Sequence, residues 1–203
     1  MLIEGLDKRK VQEKLINRLA YSRDASVYRL LPKAVLRPET DTDIISILRY
    51  ASQEKIPVTF RTGGTSLSGQ AVTEGLLVET LQGWKNFEIL EDGKAIKVQP
   101  GLTGHYVNGL LKSYSRKIGP DPASIKAARI GGIVANNASG MACGISGNSY
   151  HTVRSMKFIL PNGNIYDSSV PEANLIFKEK ETFKRIRSFQ ILLSNSFSFG
   201  LSS

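Results

Sequence analysis

Apolar and polar positions alternate with two different periods along this chain. In the first twenty residues Leu6, Leu15, Ile16 and Leu19 fall near one helical face, which predicts an amphipathic helix over Leu6 to Ala20. Ala34 to Arg37 is a short strand-like run closed by Pro38. Thr40 or Asp41 can cap a helix reaching about Lys55, with Ile44, Ile45, Ile47 and Leu48 as its apolar positions. Pro57 to Arg61 and Gly75 to Leu81 read as strands. Phe87–Leu90 and Ala95–Val98 flank Glu91-Asp92-Gly93, a hairpin signal. Leu102 to about Lys117 reads as a helix, and Thr152–Leu160 and Asn164–Asp167 form a second hairpin around Pro161-Asn162-Gly163. Helix and strand mix early and hairpins follow, so the fold class is α+β. No period of 20–50 residues marks a repeat.

The glycines break this pattern unevenly. Fifteen of the eighteen lie between Gly63 and Gly147, where the backbone must turn with positive φ or approach something closely. "PVTFRTGGTSLSGQ" runs from a strand into Gly63, Gly64, Thr65, Ser66, Leu67, Ser68 and Gly69. Two residues without Cβ let successive N–H groups converge on a phosphate, and the hydroxyls add donors. The alternative is a flexible surface loop. The common phosphate motifs do not fit. Gln70 stands where a P-loop has Lys, and the chain leads towards another strand rather than a helix. Ser68 stands where a hydrolase elbow needs Gly. A second segment, "ARIGGIVANNASGMACGISGN", offers Gly131-Gly132, Asn136-Asn137 and Ser139-Gly140 for close approach to a flat ring, or else is a buried turn. Two such loops suggest one extended ligand with phosphate and ring parts, with Asp121 in a rigid turn between them.

Composition narrows the classes. At 203 residues and 41% apolar, the chain can bury a core. No apolar run approaches the ~20 residues of a membrane span, and "MLIEGLDKRKVQEKL" lacks a signal-peptide core. One cysteine, Cys143, excludes an internal disulfide and suits a reducing, cytoplasmic setting. Cys143 reads as a small buried residue, with a flavin-linked role as the alternative. The net charge of +9 is spread thinly, with no basic run among aromatics. Nucleic acid is therefore not an expected partner, whereas peripheral attraction to the inner membrane face remains compatible with the charge. Lys8-Arg9-Lys10 reads as a solvated helix face, and Trp84 as packing at a strand end.

"PVTFRTGGTSLSGQAV" and "PDPASIKAARIGGIVANNASGMACG" resemble the FAD-binding segments of FAD-linked oxidases of the vanillyl-alcohol-oxidase and D-2-hydroxy-acid dehydrogenase type. "TVRSMKFILPNGNIYD" resembles the strand-turn-strand that follows them. The D-lactate dehydrogenase and glycolate oxidase flavoprotein branch is nearest, and the resemblance covers about Lys33 to Asp167. It implies a two-subdomain FAD-binding domain with FAD between the subdomains. Arg61, Thr62, Gly63, Gly64, Thr65, Ser66, Leu67 and Ser68 would wrap the pyrophosphate. Pro100, Gly101, Asp121, Gly131, Gly132, Asn136, Ser139 and Gly140 would line the adenine-ribityl-flavin path, and Ile165 the adenine side. Thr65 stands where covalently flavinylated members have His, which implies non-covalent FAD. Neither His105 nor His151 falls within the motif.

The reading divides the chain into an N-terminal helical segment (1–32), a partial FAD-binding domain (33–170), and a helical segment with a disordered tail (171–203). Members of the family continue with a further Gly-rich stretch and a substrate domain, so the chain reads as C-terminally truncated. The resemblance implies a base that takes the hydroxyl proton of a D-2-hydroxy acid such as D-lactate or glycolate, while hydride passes to flavin N5. No catalytic residue is visible in the chain and no metal is implied. Two alternatives follow: an oxidoreductase domain, alone or with a partner chain that supplies the substrate domain, or a non-catalytic remnant or flavin-binding module. A basic interaction domain without flavin is a third. Lost strands would expose a sheet edge, which predicts poor solubility, or dependence on a partner, for the isolated chain.

Overall fold

The computed structural model describes residues 1–171 and the strand Ser194–Gly200. The first sheet is four-stranded, ordered β1 (Val11–Gln12), β2 (Ala34–Leu36), β4 (Leu76–Glu79), β3 (Val58–Arg61). β2, β4 and β3 are parallel, while β1 runs antiparallel to β2. The central strands are buried at every position, as parallel strands covered on both faces must be. Helix α2 (Asp41–Gln53) crosses from β2 to β3. Its capping box is complete: Thr40 Oγ1 accepts from the Asp43 amide at 3.2 Å and Asp43 Oδ2 accepts from the Thr40 amide at 3.0 Å. Ile47 and Ala51 of α2 pack on Leu36, Leu76 and Val78.

The second sheet is antiparallel, ordered β5 (Phe87–Leu90), β6 (Ala95–Val98), β9 (Ser194–Gly200), β7 (Val153–Ile159), β8 (Ile165–Asp167). Ile96 and Val98 of β6 form its core with Val107 and Leu111 of α3 (Gly104–Leu111) and with Ile130, Ile133 and Val134 of α4 (Ile130–Ala135). Ile44 and Leu48 of α2 join Trp84 and Ile159 in a third cluster, which ties the two sheets together. Trp84 is 2% exposed and its Nε1 donates to the Pro38 carbonyl at 2.7 Å, so it is the packing residue expected.

The two expected hairpins, α2 and strands β2, β3 and β4 appear where the pattern put them. Three expectations do not hold. The N-terminal helix shrinks to α1 (Leu15–Ala20), whose Leu15 and Ile16 are exposed, because Val11–Gln12 pairs with β2 instead. Lys10 is no solvated face: its Nζ lies 2.7 Å from Asp43 Oδ2, with its side chain 20% exposed. The serine-rich tail is not without structure, since Ser194–Gly200 is the middle strand of the second sheet. The helix expected over 172–188 lies outside the described residues. Among the described residues no helix is long and apolar enough to cross a membrane.

Candidate functional site

The end of β3 launches the Gly-Ser-Thr loop, and the N-terminal segment holds it. The Arg61 guanidinium packs against the loop at Gly64 and ties it down: its Nη1 donates to the carbonyls of Arg23 (2.7 Å), Tyr21 (3.3 Å) and Ala71 (3.3 Å), and its guanidinium lies 5.3 Å over the Tyr21 ring. Burial pushes the Arg61 pKa down, and the nearby Asp24, Tyr21 and Glu79 oppose that shift. Tyr21 is held in turn, its hydroxyl donating to Glu79 Oε1 at 2.7 Å while Arg37 Nε pairs with Glu79 Oε2 at 2.7 Å. The Gly64 carbonyl accepts from Ala25 at 3.0 Å.

So anchored, the loop presents its amides. Gly64 has φ +63° and Gly69 φ +73°. Among the described residues no acceptor exists for the backbone N–H groups of Gly63, Gly64, Thr65, Ser66 and Leu67, whereas the amides of Ser68 and Gln70 bond Ser66 Oγ. Successive free amides around a left-handed Gly form an anion-binding concavity.

Helix α4 forms the opposite wall. Its start is fixed by the Ile130 amide on the Leu102 carbonyl (2.8 Å) and the Gly131 amide on the Pro100 carbonyl (3.1 Å). Gly131 and Gly132 admit the Thr62 side chain: added Cβ atoms would stand 3.2 Å from Thr62 Cγ2 and 3.1 Å from Thr62 Oγ1. At the other end of α4, Asn136 Oδ1 accepts from Gln70 Nε2 at 3.0 Å, a bridge between the two walls. Between them lies a cleft of about 360 Å³, within the size range of small-ligand sites.

Of the residues singled out by sequence, Arg61, Thr62, Gly64, Thr65, Ser66, Leu67, Ser68, Gly131, Gly132 and Asn136 line this cleft. Gly63, Pro100, Gly101, Asp121, Ser139, Gly140 and Ile165 do not. Gly63 faces the Ala127 carbonyl, and Pro100 and Gly101 stand behind α4. Asp121 meets Gly140 backbone to backbone beside the lining residues Pro122 and Ala138. Ile165 sits on β8, paired with Ile159 and 42% exposed. Cys143 is half-buried rather than buried, its Sγ 3.5 Å from the Gly140 carbonyl. Sequence reasoning passed over Gln70, Ser124, Tyr150 and Met156, which also line the cleft. Gln70, Ser124 and Met156 stood inside quoted segments, while Tyr150 carries no signal at sequence level.

The lining is rich in amides, hydroxyls and small apolar side chains, and its only ionisable side chains are Arg61 and Tyr150. It fits FAD in its donor set: free amides and hydroxyls for a diphosphate, and Gly131, Gly132, Ala135 and Ala138 for close approach of a flat ring. Among the described residues the lining contains no carboxylate, His or Lys.

Residues 32–169 match the family model described as FAD binding domain. The chain belongs to this family. This FAD-binding domain is 30% identical over 177 residues to D-2-hydroxyglutarate dehydrogenase of Escherichia coli K12, a match covering 84% of this chain and 17% of that protein. It is 33% identical over 151 residues to the glycolate oxidase subunit GlcD of Bacillus subtilis 168, covering 73% of this chain and 32% of the subunit. The chain thus spans at most about a third of these relatives' lengths. Its fold is that of 6-hydroxy-D-nicotine oxidase from Arthrobacter nicotinovorans, with TM-score 0.75 at 16% identity over 100% of this chain and 43% of that one. The architecture is the two-sheet, vanillyl-alcohol-oxidase type of FAD-binding fold, and FAD is its cofactor.

Proposed function

We propose that this FAD-binding domain is the cofactor-holding part of an oxidoreductase acting on a D-2-hydroxy acid, with D-lactate, glycolate and D-2-hydroxyglutarate as the substrates to test first. The five unpartnered amides from Gly63 to Leu67 carry the FAD part of this reading, and the likeness to D-2-hydroxyglutarate dehydrogenase and a glycolate oxidase subunit supports the substrate class. In this reading Arg61 and Tyr21 hold the loop, its amides and the hydroxyls of Thr65, Ser66 and Ser68 bind the FAD diphosphate, and Gly131 to Asn136 pack the opposite wall against it. Pro100, Gly101, Asp121, Ser139 and Gly140 set the backbone behind and beside that wall. Thr65 has only a weakly nucleophilic hydroxyl, with no base beside it in the described lining, so in this reading attachment through this loop is non-covalent. FAD when bound supplies the two-electron acceptor.

Among the described residues the cleft lining supplies no carboxylate, His or Lys to act as a general base. In this reading the groups that orient and deprotonate a hydroxy acid lie outside this lining, in this polypeptide or in a partner chain. The same observation favours a second reading, a flavin-binding module without turnover of its own. Purified protein incubated with FAD, desalted, and assayed with the three acids and an artificial electron acceptor separates them. Retained flavin with acid-dependent reduction supports the first reading. Retained flavin without it supports the second, and no retained flavin contradicts both.

A further inference from the structure

Arg129 immediately precedes α4, and its charge is not balanced. Nη1 donates to the Gly101 carbonyl at 2.9 Å, while Nε is buried and has no partner. Among the described residues no carboxylate pairs with it. Arg129 is half-buried, so its charge keeps access to water, but an N–H that is desolvated without a partner is costly, and such a group in a native structure calls for an explanation, a bound anion among them.

Its position says which anion. An added Cβ on Gly63 would stand 3.4 Å from Arg129 Cγ, so the arginine backs the turn whose amides open into the cleft. Arg61, the other cation of the loop, is already engaged by three carbonyls and lies near Asp24 and Glu79. Arg129 has no such claim on it. We propose that Arg129 is the counter-charge of the FAD diphosphate, acting from behind the Gly63–Gly64 turn as a positioning residue that also holds the Gly101 carbonyl. The inference rests on the FAD reading above. It adds that diphosphate affinity depends on one residue outside the cleft lining.

The test compares the unsubstituted chain with Arg129→Gln and Arg129→Lys, titrating FAD, ADP and adenosine at low and high salt, with the melting temperature of each apo protein. Loss of one charge interaction of this kind is worth about tenfold in affinity. The expected result is a fall of about tenfold for FAD and ADP in Arg129→Gln, a flatter salt dependence, unchanged adenosine affinity, and partial recovery in Arg129→Lys. Equal FAD and ADP affinity in Arg129→Gln overturns the proposal, as does an equal loss for adenosine, which would mark a purely structural role. If Arg129→Gln does not fold, Arg129→Lys decides: affinity lost as a point charge replaces the fork, but with the salt dependence kept, supports it, and a flattened salt dependence overturns it. Failure of the unsubstituted chain to bind FAD at all sinks the FAD reading, and this inference with it.

Discussion

Gly64 and the Arg61 guanidinium occupy adjoining space: a Cβ on Gly64 would stand 2.5 Å from Arg61 Nη2, at a residue with φ +63°. Gly64→Ala therefore carries both backbone strain and a clash with the group that ties the loop to Tyr21 and Arg23. We expect it to cost about 1–3 kcal/mol of stability and to weaken FAD binding more than tenfold. Gly109 is the matched control, since nothing lies within 4 Å of its Cβ position inside α3. Gly109→Ala should stabilise by about 0.5–1 kcal/mol and leave FAD affinity unchanged. Urea midpoints and flavin titrations of the pair check both statements.

Asp43 links the N-terminus to the first sheet and sets an acid limit. Burial alone would raise its pKa, but hydrogen bonds from Lys10 and from the Glu39 and Thr40 amides outweigh burial and hold it below the ordinary value. A carboxylate with a depressed folded pKa contributes stability that is complete above its unfolded value of about 4 and is lost as pH falls through the folded value. Asp43→Asn should lose about 1–3 kcal/mol at neutral pH and show a flatter decline in stability below pH ~4. Melting curves across pH 2.5 to ~7 test this, and parallel acid profiles for the two proteins would contradict it.

Gln70 bridges the cleft walls through Asn136 and also accepts from Ser66. These groups are exposed, so Gln70→Ala should change stability by less than about 0.5 kcal/mol. It should instead speed FAD release severalfold, read by flavin fluorescence after dilution. An unchanged release rate would remove the bridge from the account.

Strand β9 separates β6 and β7, and each pairs with it along its length. Deleting residues 194–203 leaves two facing rows of unpaired backbone groups in the middle of a sheet. Light scattering and gel filtration should show aggregation of the shortened chain. A soluble monomer with an unchanged melting temperature would show that β9 is dispensable.

What the sequence revealed was local. Thr40 and Asp41, the two candidate caps, bracketed the start of α2, where the structure uses Thr40, and Asp92-Gly93 and Asn162-Gly163 announced turns that the structure builds with positive φ at Asp92, Gly93 and Gly163. The Gly-Ser-Thr loop was legible as an amide-rich turn after a strand, but only the contacts of Arg61 with Tyr21, Arg23 and Ala71 set it apart from a flexible surface loop. α4 was not legible as a helix: two adjacent glycines cost about 2 kcal/mol of helix propensity, and only Thr62 and Pro100 packing against them explains their presence. β9 was hidden for a similar reason, since serine-rich sequence has no strand signature and its pairing partners lie about 40 and about 100 residues away. The N-terminal helix was over-read because Leu6 is buried in the sheet core while Leu15 and Ile16 face solvent, so one apparent stripe served two environments. The role of Arg129 needed its hydrogen-bond partners, which no pattern of residues displays.

The most direct test of the account is the visible spectrum of the purified chain after incubation with FAD and desalting. We expect flavin absorbance to be retained, in a form released by denaturation, showing that the amides from Gly63 to Leu67 and the wall from Gly131 to Asn136 hold the cofactor without a covalent bond. A well-folded, cooperatively melting protein that emerges colourless would contradict it.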